Sequence, residues 1–104
     1  MRWYHYVALF FAGAFLVNTV PHFTNGISGR PFPSPFASPP GQGMSSPVVN
    51  VLWGSFNLIV GVVLCRAGRF DSLRLAGVLA LGVGGIIMAV TLANVFGQVF
   101  GAAR

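Results

Sequence analysis

The sequence has very little charge. Only 7% of its 104 residues are charged, and Asp71 is the sole acidic residue. Soluble surfaces carry roughly 25–35% charged residues, so this composition excludes an ordinary soluble domain. The candidate nucleophiles Ser55 and Cys65 lack the histidine and carboxylate partners that would activate them. We therefore expect no catalytic residues.

Cysteine and histidine are equally scarce. Cys65 is the single cysteine and cannot form an internal disulfide. The two histidines, His5 and His22, are separated by about 25 Å along a helix, so they cannot bind one metal ion within a monomer. We expect no metal site and no cofactor.

What the chain does have is three long apolar runs, at residues 3–20, 48–65 and 75–97. About 20 apolar residues span a bilayer as a helix. The sequence predicts an all-α membrane protein, a single membrane domain over residues 1–104 with three transmembrane helices. Residues 21–47 would form a long proline-rich loop, and residues 66–74 a short basic one.

The positive charges are all arginines, and their positions indicate orientation and not nucleic-acid binding. Three spans would place four of them on one side of the membrane and two on the other; these are Arg2, Arg66, Arg69 and Arg74 against Arg30 and Arg104. The positive-inside rule then predicts a cytoplasmic N-terminus, and an extracytoplasmic C-terminus and proline-rich loop.

The proline-rich loop is far longer than the 2–8 residues that usually join packed helices. It contains all seven prolines, and Pro21 is expected to end or kink the first helix. The alternating prolines of residues 31–35 predict an extended segment lying over the outer helix ends. Arg30, Phe32 and Phe36 are its predicted contact residues.

Each predicted helix carries a stripe of small and polar residues. Small residues let membrane helices approach closely, and the predicted packing positions are Ala8, Ala12, Gly54, Gly61, Gly77 and Gly84. Polar residues concentrate toward the proline-rich loop, at Asn18, His22, Asn50, Asn57, Thr91, Asn94 and Gln98. These side chains either join the helices to one another or form a ligand or partner site.

One segment resembles a known signature. Residues 22–54 read HFTNGISGRPFPSPFASPPGQGMSSPVVNVLWG, and NGISGRPFPSPF, PPG and NVLWG are the most specific parts. This is similar to a family of small uncharacterised bacterial inner-membrane proteins. The resemblance implies about three spans and an inner-membrane location, and it implies no activity.

Two functions are consistent with these patterns. The first is a non-enzymatic membrane protein that acts through helix and loop contacts, as an accessory subunit of a membrane complex or as a homo-oligomer. The alternative is a small carrier or ligand-binding protein with a polar site near the outer face. The expected partners are the lipid bilayer and another membrane protein or a second copy. If contacts are the function, Asn57→Leu should break assembly; if a carrier is correct, Asn94→Leu should abolish binding.

Overall fold

The computed structural model describes residues 1–101 and contains three long helices. They are α1 (Trp3–Ile27), α2 (Pro47–Ala67) and α3 (Leu75–Gly101). Each is long and apolar enough to cross a membrane, which confirms the predicted all-α architecture with three spans. Arg104, which entered the orientation argument, lies outside the described residues.

Helix α1 lies between the other two. Both α2 and α3 pack along it, whereas they make almost no contact with each other. Glycines permit the close approach on both sides. A Cβ built on Gly54 of α2 would lie 2.8 Å from the backbone nitrogen of Phe23, and one on Gly84 of α3 would overlap the carbonyl oxygen of Phe10. The small-residue stripes of α2 and α3 therefore face α1.

The predicted packing positions mostly lie at these contacts. Five of the six are buried, at Ala12, Gly54, Gly61, Gly77 and Gly84, and Ala8 is half-buried. Gly13 of α1 was not among the predicted positions. A Cβ there would overlap the carbonyl oxygen of Leu81, so Gly13 is as necessary to the contact with α3 as Gly84 is.

The sequence predicts that the first helix ends or kinks at Pro21. The predicted end is wrong, because α1 continues through this residue to Ile27. The extra turns are held by packing and by side chains. Gly26 is buried against the start of α2, where a Cβ would lie 2.7 Å from the Pro47 carbonyl oxygen, and the Asn25 amide donates to the Pro21 carbonyl at 2.7 Å. Membrane helices tolerate proline when neighbouring structure supports them, and here the packing of Gly26 against the start of α2 supports the turns beyond Pro21.

The connection between α1 and α2 is consequently shorter than predicted, at residues 28–46, and it folds over what we call the loop end of the bundle. Two short strands, β1 (Phe32–Pro33) and β2 (Met44–Ser45), pair antiparallel within it. The buried hydroxyls of Ser34 and Ser45 lie 2.6 Å apart and fix the pair. Helix α2 then begins at Pro47, with the Ser46 hydroxyl accepting from the Val49 backbone N–H at 3.2 Å and Pro47 in the first turn.

Candidate functional site

Four of the seven predicted polar residues meet between α1 and α2. Nδ1 of His22 lies 2.8 Å from Oδ1 of Asn50, and Nδ2 of Asn18 donates to Oδ1 of Asn57 at 3.0 Å. His22, Asn50 and Asn57 are each at most 3% exposed. The His22–Asn50 pair lies at the loop end, and the Asn18–Asn57 pair lies near the middle of α2.

Asn50 connects the helices to the loop. Its Nδ2 donates to the carbonyl oxygens of Phe32, Ser45 and Ser46 at 2.9, 3.2 and 3.1 Å. Because the amide hydrogens are used in this way, the atom facing His22 is the oxygen, and Nδ1 of His22 must donate to it. In the neutral imidazole, Nε2 is then an acceptor.

Aromatic rings of the loop pack against α2 and α3. The Phe32 ring lies 4.6 Å from that of Phe96 on α3 and 5.5 Å from that of His22, measured between ring centroids. The Phe36 ring lies 5.2 Å from Trp53 on α2, although Phe36 itself remains exposed. Of the three predicted loop contacts, Arg30 only reaches back to Asn25, donating from Nε to the side-chain oxygen at 3.0 Å.

A cavity of about 150 Å³ lies under the loop, between α2 and α3. All three helices and the loop contribute to its walls, through Asn18, His22, Pro33, Ser34, Pro35, Gly41, Trp53, Leu92, Val95 and Phe96. The indole nitrogen of Trp53 is buried and has no hydrogen-bond partner among residues 1–101. A buried donor without a partner is costly, so this atom is an exception among the buried polar groups.

The remaining predicted polar residues, Thr91, Asn94 and Gln98, do not join the cluster. All three are exposed on α3, and the Thr91 hydroxyl donates to the carbonyl of Ile87 at 2.8 Å. The prediction that they share the packing stripe is wrong, because Gly77, Gly84, Thr91 and Gln98 recur every seven residues, which corresponds to 3.5 residues per turn. On a straight helix such a stripe drifts by about 20° per heptad, or about 60° from Gly77 to Gln98. The actual packing face continues instead through Leu92 and Phe96.

Trp53 was missed as a site residue, although the sequence contains a signal for it. It lies three residues after Asn50 and four before Asn57, so helical spacing puts it near both amides. Ser34 and Ser45 carried no such signal, because their pairing depends on how the loop folds back on itself.

The described residues contain no group of three histidine, cysteine, aspartate or glutamate side chains that could hold a metal ion. The site is therefore built from amides, one imidazole, hydroxyls and aromatic rings. Such groups can hold a neutral ligand or another protein surface.

Comparisons of the chain with protein-family models, with curated proteins and with solved structures found no match. The resemblance of residues 22–54 to a bacterial inner-membrane family stays a prediction.

Proposed function

We propose that the protein is a small, non-enzymatic protein of the bacterial inner membrane that acts by binding other membrane helices. It works as a homo-oligomer or as the accessory subunit of a larger membrane complex. Its N-terminus and the basic segment 66–74 face the cytoplasm, and the loop end faces outward. The four arginines at the end opposite the loop support this orientation.

The observation that carries the proposal is the exposure of two amides on α3. Asn94 and Gln98 are exposed, and their side chains make no hydrogen bond with any of the residues that the structure describes. Asn94 lies within the apolar run 75–97, and an amide that faces hydrocarbon has no water to bond, so a second polar surface would stabilise it. Polar side chains in membrane helices commonly bond across to another helix in this way.

The surface around these amides suits a close helix contact. Gly97 and Gly101 follow on the same side of α3, and a Cβ built on either meets nothing within 4 Å in the monomer. Because an amide both donates and accepts, the same face on a second copy is complementary to it about a two-fold axis. This chemistry suits a homo-oligomer, and a partner helix presenting amides or hydroxyls would fit equally.

The test is purification of the tagged protein, expressed at its natural level, in lipid nanodiscs, with its mass and its companions measured by mass spectrometry. We expect either a defined oligomer or a stoichiometric membrane partner, and we expect the double variant Asn94→Leu/Gln98→Leu to lose it. The matched control is Thr24→Leu, which removes an exposed polar side chain at the same end of the bundle but on α1.

Two results would contradict the proposal. One is a monomer without companions under native-like conditions. The other is an assembly that the double variant leaves intact, since the contact would then not depend on the amides of α3.

A further inference from the structure

An open cavity lies at the end of the bundle opposite the loop, beside the turn that joins α2 to α3. Its volume is about 800 Å³, within the roughly 300–1,000 Å³ of small-molecule sites. The start of the chain and the turn form its walls together, through Met1, Arg69, Phe70, Asp71, Ser72 and Arg74. Because α2 ends and α3 begins here, the cavity lies at the level of the lipid headgroups.

The charges of the cavity walls are unbalanced. Asp71 is held within the turn, since its Oδ1 accepts from the Leu73 backbone N–H at 2.9 Å and its Oδ2 lies 3.6 Å from Nε of Arg74. The guanidinium group of Arg69 forms no hydrogen bond or ion pair with any of residues 1–101. The walls therefore carry two guanidinium groups against one carboxylate, which leaves an excess of one positive charge.

Arg69 also has an unfavourable backbone conformation. Its φ is +55°, and no other non-glycine residue among residues 1–101 has a positive φ. The Phe70 N–H donates to the Cys65 carbonyl at 2.9 Å and the Arg69 N–H to the Arg66 carbonyl at 3.1 Å, which is the helix-ending motif that usually places glycine at position 69. Unfavourable backbone conformations concentrate at functional sites, so an arginine here favours a role for its side chain.

Exposed apolar side chains accompany these arginines. Phe70 is exposed, and Leu73 is 91% exposed. Large apolar groups next to guanidinium groups suit the membrane interface, where acyl chains meet phosphates. The turn therefore matches a ligand that has a phosphate and apolar chains, and it matches a soluble phosphate less well.

We propose that this cavity binds the headgroup of an anionic phospholipid such as phosphatidylglycerol. The phosphodiester would lie at Arg69 and Arg74, and the acyl chains beside Phe70 and Leu73. The single negative charge of this lipid matches the excess charge of the walls, whereas a zwitterionic lipid brings an ammonium group that the arginines repel. The site lies at the opposite end of α3 from Asn94 and Gln98 and does not depend on the proposed assembly.

The experiment titrates the full-length protein in a neutral detergent with dioctanoyl-phosphatidylglycerol or dioctanoyl-phosphatidylcholine and measures bound lipid by native mass spectrometry. We expect one phosphatidylglycerol per chain, bound at least about tenfold more tightly than phosphatidylcholine. Arg69→Gln removes the charge but keeps a polar side chain, and it should weaken phosphatidylglycerol binding about fivefold. A third probe, sn-glycerol 3-phosphate, has the phosphate without acyl chains and should bind at least about tenfold more weakly than phosphatidylglycerol.

Arg66→Gln is the matched control, because it makes the same change at an exposed position at the same end of the bundle, outside the cavity walls. It should weaken binding less than about twofold. Equal affinity for the two lipids would overturn the proposal, and so would glycerol phosphate binding as tightly as phosphatidylglycerol. Equal losses in the two variants, or no loss in Arg69→Gln, would also overturn it, because the preference would then come from the overall charge of this end. If Arg69→Gln does not fold, the comparison of the three probes on the unaltered protein decides the question.

Discussion

Replacing Asn50 by leucine should detach the loop from the helices and destabilise the whole bundle. The change removes the acceptor for His22 and the donor to the carbonyls of Phe32, Ser45 and Ser46. The Nδ2 group has only two hydrogens, so its three contacts to carbonyl oxygens count as two hydrogen bonds, and with the bond to His22 three are lost. Hydrogen bonds between polar side chains in membrane proteins average about 0.6 kcal/mol each, so the free energy of unfolding should fall by about 1.8 kcal/mol. Leucine has the branching of asparagine but is bulkier, so overpacking at this fully buried position adds to the loss; Asn57 is equally buried, so the same addition applies to Asn57→Leu.

The measurement is equilibrium unfolding in bicelles, combined with hydrogen exchange of residues 28–46 by mass spectrometry. Two further asparagine-to-leucine variants calibrate it. Asn57→Leu loses two hydrogen bonds and should lower the free energy of unfolding about two thirds as much, by about 1.2 kcal/mol, with little change in loop exchange. Asn94→Leu removes an exposed amide without a partner in the monomer and should not lower the stability of the monomer.

The role of Asn50 would be refuted if Asn50→Leu lowered the free energy of unfolding no more than Asn57→Leu does. It would equally be refuted if stability fell while exchange in residues 28–46 stayed unchanged, because the loop would then not depend on this amide. The structure also reassigns the variants proposed from the sequence. Asn57 joins two helices of one chain, so Asn57→Leu tests the fold, whereas Asn94→Leu tests assembly.

Two other predictions concern the helices. Gly84→Ala should lower the free energy of unfolding in bicelles by about 1–3 kcal/mol, because the new Cβ would overlap the Phe10 carbonyl oxygen. Gly82→Ala is the control: a Cβ there meets nothing within 4 Å, so the change should be neutral or slightly stabilising. Equal effects of the two substitutions would contradict the close contact of α1 with α3. Pro21→Ala restores a backbone donor inside a continuous helix, so it should raise the free energy of unfolding by about 1–3 kcal/mol without changing the helical circular dichroism. A lower free energy of unfolding would contradict this prediction and show that Pro21 stabilises the fold.

The three spans could be predicted because length and apolar composition alone decide them. The pairing of α1 with α2 was also accessible, since Asn50, Gly54, Asn57 and Gly61 keep a helical spacing that marks one face. Buried amides on that face need partners, and Asn18 and His22 were the polar groups at the same depth on α1.

The sequence alone could not show where packing in the folded bundle overrides a local backbone preference. Pro21 disfavours helix, but packing of Gly26 against Pro47 supports the continuation, and that contact exists only in the folded bundle. On α3, spacing alone could not distinguish a repeat of 3.5 residues per turn from the 3.6 of a straight helix. A repeat of 3.5 puts Asn94 and Gln98 on the packing face, whereas the structure has them exposed. Their outward position depends on where Gly84 and Phe96 meet their neighbours.

The central position of α1 has a consequence for how the protein enters the membrane. Its most apolar stretch has a mean hydropathy of 1.5, against 2.0 for α2 and 2.3 for α3, and 33% of its residues there are buried, against 22% and 17%. The helix that faces its neighbours most is thus the one least favoured by lipid. Because α1 precedes both neighbours in the chain, it leaves the ribosome before the helices that will shield Asn18 and His22. We therefore expect the arrival of α2 and α3 to strengthen its hold in the bilayer, and substitutions that weaken either contact to act first on insertion.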